Sequence, residues 1–322
     1  MSAILAIDGL SVEFRRAGAA IGALRQVGLK VAAGECVGIV GESGSGKTQL
    51  GMAVMGLLPA NAAASGSIRF AGREILAAPR ALLQSLRGAK LAMIFQDPQS
   101  SLTPHLRIGV QLAEVLVFHR KMPRRRAQDA ALAMLRRVGI DDAARRMRQY
   151  PHELSGGMRQ RVLIGMSLLC GPDLLIADEP TTALDVAVQA QVIGLLQDMR
   201  REFHTAIVLI SHDLAVVAGL AERIYVMYAG RIVETARAAD LYRGPRHPYT
   251  AALLRCAPRI DAALAPRLDT LPGQPPNLAL PIEGCAFAPR CWRATERCTR
   301  ERPLLLPADA TAQAACHHPL CA

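Results

Sequence analysis

The 322-residue chain is poor in aromatic residues, with one Trp, five Tyr and six Phe. None of them interleaves with the basic clusters Arg120–Arg126, Arg136–Arg137 and Arg145–Arg148, so the stacking platform of a single-strand nucleic-acid binder is missing and no nucleic-acid partner is expected. Long apolar runs are missing too. Met52–Leu58 and Val162–Leu169 fall short of the roughly 20 residues that cross a bilayer, and Pro59 and Pro172 close them. No basic residue precedes Asp8, so no secretory leader is expected at this start. The chain is therefore expected to be soluble or peripheral, with its eight cysteines as thiols or metal ligands rather than disulfides. Its 38 Lys and Arg against 27 Asp and Glu give a net charge of +11, which by itself suits nucleic acid, anionic lipid or a nucleotide-binding protein docked under a membrane and does not choose among them.

What is present is organised around Gly41-Glu42-Ser43-Gly44-Ser45-Gly46-Lys47-Thr48, which fills every fixed position of G-x-x-x-x-G-K-[ST]. The apolar run 36–40 before it predicts a buried parallel strand, and Gln49–Leu58 after it predicts a helix. In that setting Gly41, Gly44 and Gly46 let the amides around Ser43 and Ser45 curl towards phosphate oxygens at a helix N-terminus. Lys47 then reaches the β and γ phosphates and the Thr48 hydroxyl ligates magnesium. Upstream, short alternating pieces to about residue 35 predict antiparallel β structure. Phe14 within them either stacks on a base or points inward as an ordinary strand aromatic.

Downstream, the apolar strand Leu91–Phe95 ends at Gln96, placed to ligand magnesium and position water. Residues from 102 to about 148 turn helical in period. Ser155, Gly156 and Gly157 open a further helix and form a second anion site. Leu174–Ala177 finishes in two carboxylates: Asp178 for the magnesium shell, Glu179 for polarising water. A strand from Thr205 to Ile210 brings His212 to the same sheet edge, within reach of a γ phosphate.

Gly41–Thr48, Gln96, Leu154–Gly157, Leu174–Glu179, Ala183-Leu184-Asp185 and His212 stand in the order of the ABC ATPases, which the chain resembles over roughly residues 3 to 260. That resemblance implies an α/β P-loop fold: a parallel core sheet, an antiparallel β subdomain and a helical subdomain at about 97–170. It also implies ATP and magnesium as ligands, with Thr48, Gln96 and Asp178 on the metal. Glu179, Gln96 and His212 become the catalytic set, and Asp185 the D-loop acid. Ser155-Gly156-Gly157 would close over ATP held by a second, homologous ATPase subunit in a head-to-tail heterodimer.

The segments Gln96-Asp97-Pro98, Ser101–Pro104, His247–Thr250, Leu271–Pro276 and Gly284–Cys291 are similar to the ATPase subunits of bacterial oligopeptide and dipeptide importers. The division implied is 1–260 for the ATPase domain and 261–322 for a cysteine-rich C-terminal extension. Partners implied are two membrane permeases and an extracytoplasmic binding protein, with this subunit peripheral at the cytoplasmic face of the inner membrane. Nickel chelates and opines are alternative cargoes of the same class, and a non-transport ABC ATPase is the alternative outside it.

In the extension, Cys285, Cys291, Cys298 and Cys316 are spaced C-x5-C-x6-C-x17-C among Pro, Arg and Ala. So polar a segment calls for a metal centre to supply its stability. These four lack the C-x2-4-C pairing of zinc, and iron–sulfur clusters tolerate wider gaps; zinc and free thiols stay open, as do Cys321, His317 and His318 as ligands. The importer resemblance implies a [4Fe-4S] cluster. Cys36, Cys170 and Cys256 lie in apolar runs and are expected in the core.

Overall fold

The computed structural model describes residues 3–16, 19–97, 101–182, 185–256, 271–309 and 312–321. Expectations resting on Pro98, on Ala183 and Leu184, and on a boundary at 260/261 lie outside the described residues. The strands are β1 (Ala3–Arg16), β2 (Ala19–Ala32), β3 (Cys36–Val40), β4 (Ala62–Phe70), β5 (Arg73–Glu74), β6 (Leu91–Ile94), β7 (Leu174–Asp178), β8 (Ala206–Ser211), β9 (Arg223–Tyr228), β10 (Arg231–Arg237), β11 (Leu306–Pro307) and β12 (Ala312–Ala314). The chain divides into two compact units. One comprises Met1–Ile4, Val31–Glu35 and Ala77–Ile210; the other comprises Leu5–Lys30, Cys36–Leu76 and Ser211–Ala322.

In the first unit the strand order is β8-β7-β6. All three are parallel, with Leu91 opposite Leu174 and Leu174 opposite Ala206. Every residue of these strands is buried, which is why the sequence reads as unbroken apolar runs instead of an alternating pattern. Helices follow from the 3.6-residue period. Arg124–Arg137 buries Ala127, Ala131, Met134 and Leu135 on one face, while Arg124, Arg125, Arg126, Arg136 and Arg137 stay exposed. Burying Met134 and Leu135 contributes about 1.5–3 kcal/mol each. These five arginines are thus the solvated side of an amphipathic helix.

The second unit holds an antiparallel sheet in the order β2-β1-β4-β5 and the neighbouring strands β11-β12-β10-β9-β3, in that order. In the latter, β3 and β9 run parallel, Val37 opposite Arg223 and Val40 opposite Val226. The remaining pairs are antiparallel. At 14 residues each, β1 and β2 are longer than their short alternating pieces predict, because a β-bulge between Asp8 and Ser11 lets β1 keep its pairing with β4 through a break in the pattern. The C-terminal segment is not a free appendage, since β12 adds to β10 with Glu234 opposite Ala314. Cys36 and Cys170 are buried, but Cys256, expected in the core, is only half-buried as the last residue of the helix Pro248–Cys256.

Candidate functional site

The phosphate-loop motif connects β3 to a helix spanning Lys47–Val54, which starts two residues before and ends four residues before the stretch the apolar pattern suggests; Gly46 caps its start in the left-handed region. Gly46 has φ +101°, and a Cβ there would meet the Ala23 carbonyl oxygen at 2.6 Å; at Gly41 it would meet the Met227 carbonyl oxygen at 2.2 Å. Both positions therefore require glycine, for the turn and for the close passage of neighbouring backbone. Lys47 is 5% exposed, and its Nζ donates to the carbonyls of Gly41 (2.7 Å) and Glu42 (3.0 Å). The ammonium thus sits at the centre of the loop, while Ser43, Gly44 and Thr48 face solvent and Ser45 is buried.

The second unit also carries Phe14 and His212. Phe14 is half-buried on β1. His212 is exposed just past β8, where Asp213 Oδ1 accepts from the Ala215 N–H (2.8 Å) and caps the helix Leu214–Ala218.

The first unit holds the other expected residues. Asp178 is 1% exposed at the end of β7. Glu179, next along, has a φ of +47°, a left-handed conformation rare for a residue with a side chain. The backbone is held there by its N–H donating to the Ile210 carbonyl (2.9 Å). Its Oε2 accepts from Thr182 Oγ1 at 2.7 Å and from Gln96 Nε2 at 3.3 Å. Gln96 and Glu179 are therefore brought together, and Thr182 joins them with no sequence signal beyond a hydroxyl three residues on. Ser155 is the N-cap of the helix Gly156–Leu168, its Oγ accepting from Met158 N–H at 3.3 Å. Gly156 beside it is exposed, and a Cβ there would meet nothing within 4 Å. Asp185 caps the helix Val186–Phe203 through Val188 N–H (2.9 Å), as an Asp just before an apolar-periodic run should.

In the C-terminal segment, Cys285, Cys291, Cys298 and Cys316 line one small cavity, with His247, His317 and His318 also on its wall; Cys321 is not among the lining residues. Burial pushes the Cys285 and Cys291 thiols up, and Cys316 up to about 11, with the neighbouring thiols adding to the effect. His247 is 1% exposed, and burial lowers its imidazole to about 4, keeping it neutral. Among the described residues, no group of three or more His, Cys, Asp or Glu is arranged to hold a metal ion.

The same segment reaches the phosphate loop. Arg290 forms a forked pair with Glu42, Nη1 to Oε2 at 2.7 Å and Nη2 to Oε1 at 2.9 Å. Its side chain is 4% exposed and that of Glu42 25%. The buried Tyr249 hydroxyl accepts the Glu42 N–H at 2.8 Å, and Tyr228, Tyr249 and Phe287 pack with ring centroids 4.5–5.4 Å apart. Nothing in the sequence pairs Glu42 with a residue so far along the chain.

A loop that curls on a helix N-terminus, and carboxylates at the end of a parallel strand with a glutamine bonded to one of them, are the marks of a P-loop nucleotide hydrolase. The ABC transporter family model matches residues 24–182, and the model of the oligopeptide/dipeptide transporter C-terminal region matches residues 233–298. The chain is 51% identical to the oligopeptide transport ATP-binding protein OppD of Escherichia coli, over 94% of this chain and 89% of that one. It is 44% identical to the dipeptide transport ATP-binding protein DppD of Bacillus subtilis, over 94% and 91%. The solved ATP-binding cassette MJ0796, a dimer bound to ADP and Pi, superposes with a TM-score of 0.66 at 26% identity, covering 73% of this chain and 98% of that one. The chain belongs to the ABC transporter family of ATPases, alongside the ATP-binding proteins of oligopeptide and dipeptide transport.

Proposed function

We propose that this chain is the ATP-hydrolysing subunit of a bacterial importer that takes up oligopeptides or dipeptides across the cytoplasmic membrane. It works at the cytoplasmic face, beside two permeases, a second ATPase subunit and an extracytoplasmic binding protein. The observation that carries this reading is the union, in one compact unit, of the phosphate loop and the peptide-transporter C-terminal region, bonded through Arg290 and Glu42. Among the described residues no helix is long and apolar enough to cross a membrane, and in this reading the translocation path belongs to the permeases.

In the proposed cycle, the amides from Ser43 to Gly46 and the Lys47 ammonium hold the phosphates, and Phe14 stacks on the base. Thr48, Gln96 and Asp178 offer oxygen donors only, the set magnesium takes. Magnesium, when bound, offsets charge on the phosphates. Glu179, oriented by Gln96 and Thr182, polarises the attacking water, and His212 stands at the γ phosphate. Ser155, Gly156 and Gly157 close over the second subunit's ATP, and Asp185 holds the start of its helix.

The four thiols that line one cavity are, in this reading, the ligands of an iron–sulfur cluster, whose thiolates tolerate wide sequence gaps. Cys285, Cys291, Cys298 and Cys316 would hold it, in a stabilising role rather than an electron-transfer one.

The test is reconstitution with the two permeases, the second ATPase and the binding protein in vesicles. Short peptides are expected to stimulate ATP hydrolysis and to accumulate inside. Stimulation by a nickel chelate or an opine and not by peptides would overturn the peptide assignment.

A further inference from the structure

We infer that Arg290 is a positioning residue for the phosphate loop. Carried on the C-terminal segment, it fixes and neutralises Glu42 so that the loop presents no uncompensated carboxylate to a triphosphate. The inference rests on Gly41–Thr48 being the nucleotide site. Glu42 occupies the first variable position of G-x-x-x-x-G-K-[ST], where the motif itself asks for no particular side chain.

Here the residue is held at three points. Its carboxylate takes both arms of the Arg290 fork, its N–H meets the Tyr249 hydroxyl, and its carbonyl accepts from Lys47 Nζ. Arg290 is itself fixed from several sides. Nε donates to the Pro272 carbonyl (2.8 Å) and Nη1 to the Tyr228 hydroxyl (3.2 Å). The guanidinium also lies 5.9 Å from the ring centroids of Tyr228 and Phe287. A planar, buried fork sets direction as well as distance, which a lysine ammonium does not.

The charge at Glu42 gives this arrangement a functional consequence. It follows directly on Gly41, so its charge belongs to the loop that would receive a polyanion, in partly buried surroundings that screen charge less than bulk water does. With Arg290 present the pair is locally neutral. Without it, Glu42 repels the ligand and loses its hold on the loop backbone. The turn that carries Arg290 also carries two of the cavity thiols: Ala288 N–H donates to Cys285 O (3.0 Å), Arg290 N–H to Phe287 O (2.9 Å) and Cys291 N–H to Ala288 O (3.2 Å). The state of the C-terminal segment therefore reaches the nucleotide loop through the Arg290 side chain.

The test is titration of the full chain with Mg-ATP, comparing wild type, Arg290→Ala, Arg290→Lys, Glu42→Gln and the Arg290→Ala/Glu42→Gln double variant. Arg290→Ala is expected to weaken binding roughly 10-fold or more, the scale of leaving one charge of a buried pair alone. Arg290→Lys should lose less, keeping the charge without the fork. In the Glu42→Gln background, Arg290→Ala should cost little. Wild-type affinity in Arg290→Ala would overturn the inference. So would an equal loss with and without the Glu42 charge, which would reduce Arg290 to a prop for the C-terminal segment. Should Arg290→Ala not fold, Arg290→Lys measured in both backgrounds carries the same comparison. Lys47→Ala is the control: if it leaves binding intact, the loop is not the nucleotide site and it is that reading that fails.

Discussion

Glu179 is the residue on which hydrolysis is expected to turn, and its backbone bears a cost to be there. A left-handed φ on a residue with a side chain costs about 1–3 kcal/mol, and it persists because neighbours fix both backbone and carboxylate. The amide of Glu179→Gln keeps an oxygen for Thr182 and Gln96 but loses the negative charge that draws a proton from water. The variant is expected to bind Mg-ATP with near wild-type affinity and to hydrolyse it at least ~10²-fold more slowly in the assembled transporter. Phosphate release at a near wild-type rate would remove Glu179 from the catalytic set. The acid itself is legible in sequence, as a carboxylate closing a buried apolar run. Thr182 is not, because its role comes from the turn in which its own N–H donates to the Glu179 carbonyl at 3.2 Å.

At the scale of elements, two helix N-termini are proposed to bear on nucleotide, and they differ in how their first residues are used. At Lys47 the cap is a glycine and the orphan amides belong to the phosphate loop. At Gly156 the cap is Ser155, whose hydroxyl is already engaged with Met158 N–H, and what stays exposed are the serine and glycine backbones. Ser155→Arg removes a cap worth about 1 kcal/mol and puts a bulky cation where the closing face has to be small. Isolated protein should bind ATP as wild type does, since none of the hydrogen bonds described for Gly41–Thr48 draws on residues 155–157. Hydrolysis in the assembled transporter should fall to background. Loss of binding by the isolated subunit in a nucleotide titration would sink the two-subunit site. Helix and strand identities were readable here because the buried runs and amphipathic periods are strong; the start at Lys47 was less so, since a left-handed glycine cap leaves no mark in an apolar pattern.

For the molecule as a whole, the C-terminal segment is the part whose fold the sequence shows least. Its apolar residues are few and without period, because they pack on distant parts of the chain. Phe287 is 1% exposed against Tyr228 and Tyr249, and β12 completes a sheet begun by β3 and β9. Those contacts reduce the need for a metal to fold it, so the cysteine site and the docking of the segment can be separated by experiment. Protein purified without oxygen should be brown and absorb broadly near ~400 nm if Cys285, Cys291, Cys298 and Cys316 hold an iron–sulfur cluster. Cys291→Ser should bleach that absorption and raise protease sensitivity around residues 284–300, where the turn depends on its cysteines. ATP should still bind, because Gly41–Thr48 includes none of them, though less tightly to the extent that the loosened turn releases Arg290. Metal analysis decides between the readings: stoichiometric zinc without iron would refute the cluster, and absence of any metal would leave four buried or half-buried thiols whose packing alone holds the segment.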